Sequence, residues 1–99
     1  MSERLSPEQI SARLAPVFEK HGVRKAVLFG SYAKGTATEK SDVDIFVDSG
    51  LRGLKFTGFL YDVEQAAGVR TDVLDAADIT SGSAVEKEIR RTGIIIYAK

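Results

Sequence analysis

A chain of 99 residues, 43% of them apolar, can bury one core and not two, so a single domain over residues 1–99 is expected. The absence of cysteine excludes disulfides, thiolate zinc sites and a cysteine nucleophile, and fits a reducing, cytoplasmic setting. Fourteen basic and fourteen acidic residues give a formal charge of +0, without the basic excess of a free-standing nucleic-acid binder, so direct nucleic-acid binding is not expected.

The opening run Met1-Ser2-Glu3-Arg4-Leu5-Ser6-Pro7-Glu8 has no apolar stretch of export-signal length, and nowhere do about 18 apolar residues follow one another; no membrane partner is expected. Ser6-Pro7-Glu8-Gln9 combines a capping hydroxyl, a proline at the first helical position and a glutamine three residues after the cap, and so predicts a helix start. Ile10, Leu14, Val17 and Phe18 form its apolar face, and Gly22 is placed to end it in a left-handed conformation. His21, the one histidine, sits in the last turn, where a hydrogen-bonding or charge role at the helix end outweighs a catalytic one.

Lys25 to Phe29 reads as a short buried strand stopped by Gly30. The small, polar stretch Gly30 to Thr38 reads as a loop with room for one helical turn. From Asp42 to Asp48 the sequence alternates, with Val43, Ile45 and Val47 on a core face and Asp42, Asp44, Phe46 and Asp48 on the other. Phe56, Phe59, Leu60, Val63 and Ala67 recur at helical spacing and predict a second helix from Leu54 to Ala67, with Gly58 a weak point inside it. Val69 to Asp75 reads as a third strand, Ser83-Ala84-Val85-Glu86 as a capping box opening a helix that ends before Gly93, and Ile94 to Tyr97 as a short apolar strand or docked tail. Strands alternating with helices indicate an α/β or α+β fold, a small mixed sheet with helices packed on one face.

Asp42 and Asp44, two residues apart on one strand, leave the same face about 6.6 Å apart at the backbone and can converge on one cation. Without a cation their pairing is unfavourable: two unit charges about 4 Å apart repel by roughly 4 kcal/mol at an effective dielectric near 20. Hard oxygen donors with no nearby nitrogen or sulfur suit Mg²⁺ or Mn²⁺, and Mg²⁺ sites usually combine one or two carboxylates with substrate phosphates. Gly30 and Ser31 at a strand end could cradle those phosphates, and Lys34 could add positive charge. A Gly-Ser pair alone is usually a turn, and an Asp-x-Asp alone is usually solvated surface. Ten residues between Ser31 and Asp42 are the length of a loop returning to a neighbouring strand, which joins the two features.

Gly30-Ser31, ten residues, then Asp42-Val43-Asp44 resembles the signature of the polymerase-β-type nucleotidyltransferase superfamily, and within it the minimal nucleotidyltransferases. The loop Gly30-Ser31-Tyr32-Ala33-Lys34-Gly35 is similar to the family's Gly-Ser-x-Ala-Arg-Gly, with lysine where arginine is commoner. The family's third acid matches Asp72 in Gly68-Val69-Arg70-Thr71-Asp72-Val73-Leu74, with Thr71 where valine is more usual; a β-branched residue there still suits a strand. The resemblance, which covers about residues 24 to 97, implies that Asp42, Asp44 and Asp72 are catalytic and hold metal, that Gly30, Ser31 and Lys34 bind the nucleotide, and that a nucleoside monophosphate, AMP from ATP, passes to an acceptor hydroxyl. It further implies an antitoxin whose partner is a HEPN-domain toxin, with AMP transferred to a tyrosine of that partner. The alternative is a nucleotide-binding antitoxin that neutralises its partner by contact alone. A small-molecule modifier is disfavoured, because enzymes of that kind carry further domains for the acceptor. Asp48, Asp62, Asp75 and Asp78 match no family position and read as solvated surface, and Tyr32 reads as packing or surface.

Overall fold

The computed structural model describes residues 5–99; Met1 to Arg4, part of the run read as lacking an export signal, lie outside them. Helix α1 (Pro7–Lys20) begins with both halves of the expected capping box: Ser6 Oγ accepts from Gln9 N at 3.1 Å, and Gln9 Oε1 accepts from Ser6 N at 2.8 Å. Its end is closed by Gly22 at φ 70°, with Gly22 N donating to Glu19 O and Val23 N to Phe18 O, which satisfies two of the last carbonyls. Strand β1 (Lys25–Phe29) leads into the single turn α2 (Ser31–Lys34), then β2 (Val43–Asp48), α3 (Leu54–Ala67), β3 (Thr71–Asp75), a 3-10 turn over Ala76–Asp78, α4 (Ala84–Thr92) and β4 (Ile94–Ala98).

The four strands form one mixed sheet in the order β3-β2-β1-β4. β1 is antiparallel to both β2 and β4, while β2 and β3 run parallel, joined by α3 as the crossover. The two 14-residue helices α1 and α3 cover one face. There Ile10, Leu14, Phe18, Val23, Leu28, Val43, Ile45, Val47, Phe59 and Val63 are fully buried. Burial of each such side chain contributes about 1.5–3 kcal/mol, and the tilted contact between Phe18 and Phe59, centroids 6.1 Å apart, joins the two helices. On the opposite face, α4 lies beside Val27 and Phe46 through Ile89. Gly93 makes that approach possible, since a Cβ there would stand 2.6 Å from Val27 Cγ1 and against Ile89 O.

Three local expectations are revised. β3 begins at Thr71 rather than Val69, and Asp42 precedes β2 instead of opening it. The second capping box is half formed: Ser83 Oγ accepts from Glu86 N at 3.2 Å, but Glu86 Oε1 takes Gly82 N at 2.8 Å rather than the cap's own N–H. The strand β4 does not simply alternate. Its register against β1 slips between Ala26 and Val27, and the extra residue, Ile96, turns into the core while its carbonyl accepts from Ser11 Oγ at 2.7 Å.

Two acids read as surface are structural. Asp75 is 6% exposed and accepts from Ser49 Oγ at 2.6 Å, Ser49 N at 3.2 Å and Ala77 N at 3.0 Å. Asp62 on α3 takes His21 Nε2 at 2.8 Å and Lys20 Nζ at 3.2 Å, tying α3 to the end of α1. The non-catalytic reading of His21 therefore stands, its ring lying edge-on to Phe59.

Candidate active site

The face of the sheet that α1 and α3 leave uncovered carries the acids. β2 and β3 run parallel with Asp44 opposite Asp72, Val43 opposite Thr71 and Ile45 opposite Val73, so a single register sets the apolar residues toward the core and both aspartates away from it. On its other side Asp44 is opposite Phe29, the last residue of β1, and the next residue is Gly30. The chain leaves the strand there at φ 73°, ψ −155°, a conformation that only glycine adopts without strain. The glycine also makes room: a Cβ at this position would collide with Asp44 Oδ2 and stand 3.1 Å from its Cγ. The second residue of the Gly-Ser pair starts α2, and Gly30 O accepts from Ala33 N and Lys34 N at 3.1 Å each, closing the loop tightly over the strand end. Tyr32 is buried in the core cluster, so its role is packing.

The charges of the site are unbalanced around Asp44. Burial pushes its pKa above the ordinary carboxylate value, and the negative charges of Asp72, Asp42 and Glu88 push it further the same way. Asp72 is exposed. Asp42 stands at the strand entrance with its Oδ1 3.2 Å from Arg70 Nε, and Lys34 Nζ is 2.9 Å from Glu88 Oε1. The structure thus brings Asp44 and Asp72 into register and Gly30 against Asp44, while Asp42 and Lys34 are each turned to an ion-pair partner. In this arrangement no group of three acids or histidines among the described residues is gathered closely enough to hold a metal ion. The donor chemistry nevertheless fits a hard divalent cation, being carboxylate oxygen alone, and Asp44's resistance to ionisation is what such a cation would relieve.

Arg70 and Glu88 were not identified from sequence as parts of this site. Arg70 had a signal, since it is two residues before Asp72, but its pairing to Asp42 depends on the β2–β3 register. Glu88 had none, being on a different helix 54 positions from Lys34 by number and without any motif. The acids lie apart from two clefts of the surface, one lined by Leu51, Phe56 and Asp75 and one between α4 and the sheet.

A strand-end Gly-Ser turn packed on the first of two register-matched aspartates, on the face of the sheet away from α1 and α3, agrees with the nucleotidyltransferase signature in the sequence. Residues 12–99 match the nucleotidyltransferase domain family, and the chain belongs to it. It is 38% identical over 68 residues to a Methanocaldococcus jannaschii protein provisionally assigned as a protein adenylyltransferase, covering 67% of this chain and 73% of that one. It is 36% identical over 80 residues to protein adenylyltransferase MntA of Thermococcus cleftensis, covering 76% and 78% of the two chains. The fold is also that of a chain in the structure of a tri-AMPylated Shewanella oneidensis HEPN toxin in complex with MNT antitoxin, with a TM-score of 0.69 at 14% identity over 94% of this chain and 73% of that one. The protein is therefore an enzyme of the nucleotidyltransferase class. Among its described residues no helix is long and apolar enough to cross a membrane.

Proposed function

We propose that the protein transfers AMP from ATP to a hydroxyl of a partner protein, and that it acts as the antitoxin of a HEPN-domain toxin. The observation that carries the reading is the Asp44–Asp72 register beside Gly30, which sets two carboxylates next to a turn suited to phosphate. The names of the relatives support the acceptor class: protein adenylyltransferase for the archaeal proteins, and an AMPylated HEPN toxin bound to an antitoxin of this fold.

Asp42 and Asp44, with Asp72, would hold Mg²⁺ or Mn²⁺, and Asp42 would leave Arg70 to do so. When bound, the metal supplies neutralisation of the triphosphate and of the charge developing on the transferred group. Gly30 lets the backbone approach the phosphates, and Ser31 and Lys34 donate to their oxygens. The acceptor oxygen attacks the α-phosphorus in line, its bond forms as the bond to the bridging oxygen of the β-phosphate breaks, and pyrophosphate leaves. Asp72, exposed at the edge of the sheet, is positioned to take the hydroxyl proton. The partner's docking provides the orientation of the acceptor.

The test is incubation with α-labelled ATP, Mg²⁺ and the product of the neighbouring gene, with mass spectrometric mapping of the adduct. AMP on a partner side chain, lost with Asp72→Asn, is the expected outcome. Neutralisation of the partner without adduct, unchanged by Asp72→Asn, would establish a contact-only antitoxin instead.

A further inference from the structure

Lys34, the cation of the Gly30–Gly35 turn, is not free to meet a phosphate: its Nζ lies 2.9 Å from Glu88 Oε1. The partner acid is carried on α4. α4 is clamped to β1 at Gly93, where even a methyl group would strike Ile89 O and Val27 Cγ1, and Thr92 Oγ1 donates to Glu88 O at 3.0 Å. β1 (Lys25–Phe29), which contains Val27, ends immediately before Gly30. The helix bearing Glu88 and the turn bearing Lys34 thus both adjoin the same strand, and the Lys34–Glu88 ion pair spans the two. Its charge also reaches the carboxylate side of the site, since it is one of the groups acting on Asp44.

We infer that Glu88 is a positioning residue for nucleotide binding, an internal counter-anion that occupies Lys34 in the empty enzyme and gives it up when a triphosphate enters. The inference rests on the assignment of Lys34 to the nucleotide site. Both side chains are partly solvated, at 45% and 36% exposure, and an ion pair of that kind is weak. The latch is therefore weak enough for a polyphosphate to displace, which carries several charges to the glutamate's one. The cost of opening the pair is the same for every ligand that takes Lys34, so Glu88 lowers the affinity of such ligands by a common factor and spares those that leave the pair intact.

The experiment is a double-mutant cycle read by calorimetric titration of the full chain with Mg²⁺-ATP and with AMP, using Glu88→Gln, Lys34→Met and the pair. Glu88→Gln is expected to tighten Mg²⁺-ATP about threefold and AMP, which need not displace the pair, by less, and in turnover assays to move KM more than kcat. In the Lys34→Met background the same substitution is expected to change nothing, and Glu88→Asp should restore most of the parental behaviour. Unchanged or weaker ATP binding in Glu88→Gln overturns the latch. So does a gain that persists without Lys34, because it would reflect only the removal of a nearby negative charge. If Lys34→Met alone leaves Mg²⁺-ATP binding intact, the assignment of Lys34 itself fails. Loss of ATP binding in Lys34→Met together with an unaltered Glu88→Gln would sink the latch and leave that assignment standing.

Discussion

Gly30 serves backbone geometry and side-chain space at once, which makes it the least replaceable residue of the site. Its φ of 73° with ψ −155° costs a residue bearing a Cβ about 1–3 kcal/mol, and the added methyl would displace the Asp44 carboxylate. Gly30→Ala is expected to lower the melting temperature and to abolish Mg²⁺-ATP binding together; retention of binding by calorimetry would show that the Asp44 contact is dispensable. Asp44 has the opposite relation to stability. Its pKa is raised by burial first and then by Asp72, Asp42 and Glu88, so just above the ordinary value of 3.8 the folded protein binds more protons than the unfolded chain. Metal-free stability therefore falls as the pH rises through that window and stays lowered above it. Asp44→Asn removes the ionisation. In melts with chelator at neutral pH it should be as stable as the parent or more so, with a shallower decline on leaving acid, while transfer activity is lost. A marked drop in metal-free melting temperature would make Asp44 a structural hydrogen-bonding group.

Helix α3 presents an outer stripe that the fold does not require. Leu54 is 90% and Tyr61 65% exposed, and Gly58 lies between them with nothing within 4 Å of where its Cβ would be. Gly58→Ala should therefore stabilise the helix by about 0.5–1 kcal/mol, seen as a rise of a few degrees in melting temperature. No gain in a thermal melt would mean that the helix is strained at this position. Asp75, between β3 and the 3-10 turn, acts in the other direction. Burial opposes its ionisation, but hydrogen bonds from the Ser49 side chain, Ala77 N and Ser49 N, with the charge of Arg52, outweigh it and leave the pKa lowered. Its contribution is present above the ordinary carboxylate range and is lost as the pH falls through the lowered folded value. Asp75→Ala takes the acceptor from Ser49 N, the Ser49 hydroxyl and Ala77 N and should cost about 2–3 kcal/mol at neutral pH in denaturant titration; a loss under 0.5 kcal/mol would refute the linkage. The helix and strand pattern was legible because its signals are local, as in Ser6–Gln9 and the alternation of Val43, Ile45 and Val47. Asp42, Asp44, Asp72 and the Gly30-Ser31 turn stood out by spacing and family likeness. Nothing local reported that Ser49 pairs with Asp75, His21 and Lys20 with Asp62, or Glu88 with Lys34, because those pairs are made between elements distant in the chain, and the Asp44–Asp72 juxtaposition depends on strand register.

At the scale of the whole molecule, the site joins residues from both sides of the β1–β2–β3 arrangement, so a ligand bound there should hold the fold together. At 100 times its dissociation constant a ligand specific for the folded state adds about 2.7 kcal/mol, and a 60–100-residue domain gains about 4–8 °C for each kcal/mol. Mg²⁺-ATP should therefore raise the melting temperature by well over 5 °C, chelator should reverse the rise, and Asp42→Ala with Asp44→Ala should prevent it; a rise of equal size in that double variant would place the nucleotide elsewhere. The sheet itself has two open sides, β3 and β4. At β4 the bulge at Ile96 breaks the regular spacing of the backbone, and the Ser11 hydroxyl occupies the Ile96 carbonyl at 2.7 Å. A strand from another molecule would find there an uneven ladder with the Ile96 carbonyl already engaged, although Ile95 is 59% exposed and would otherwise invite it. The bond from α1 to the bulge thus works as a guard against polymerisation, keeping a small protein with an apolar terminal strand from adding copies of itself edge to edge.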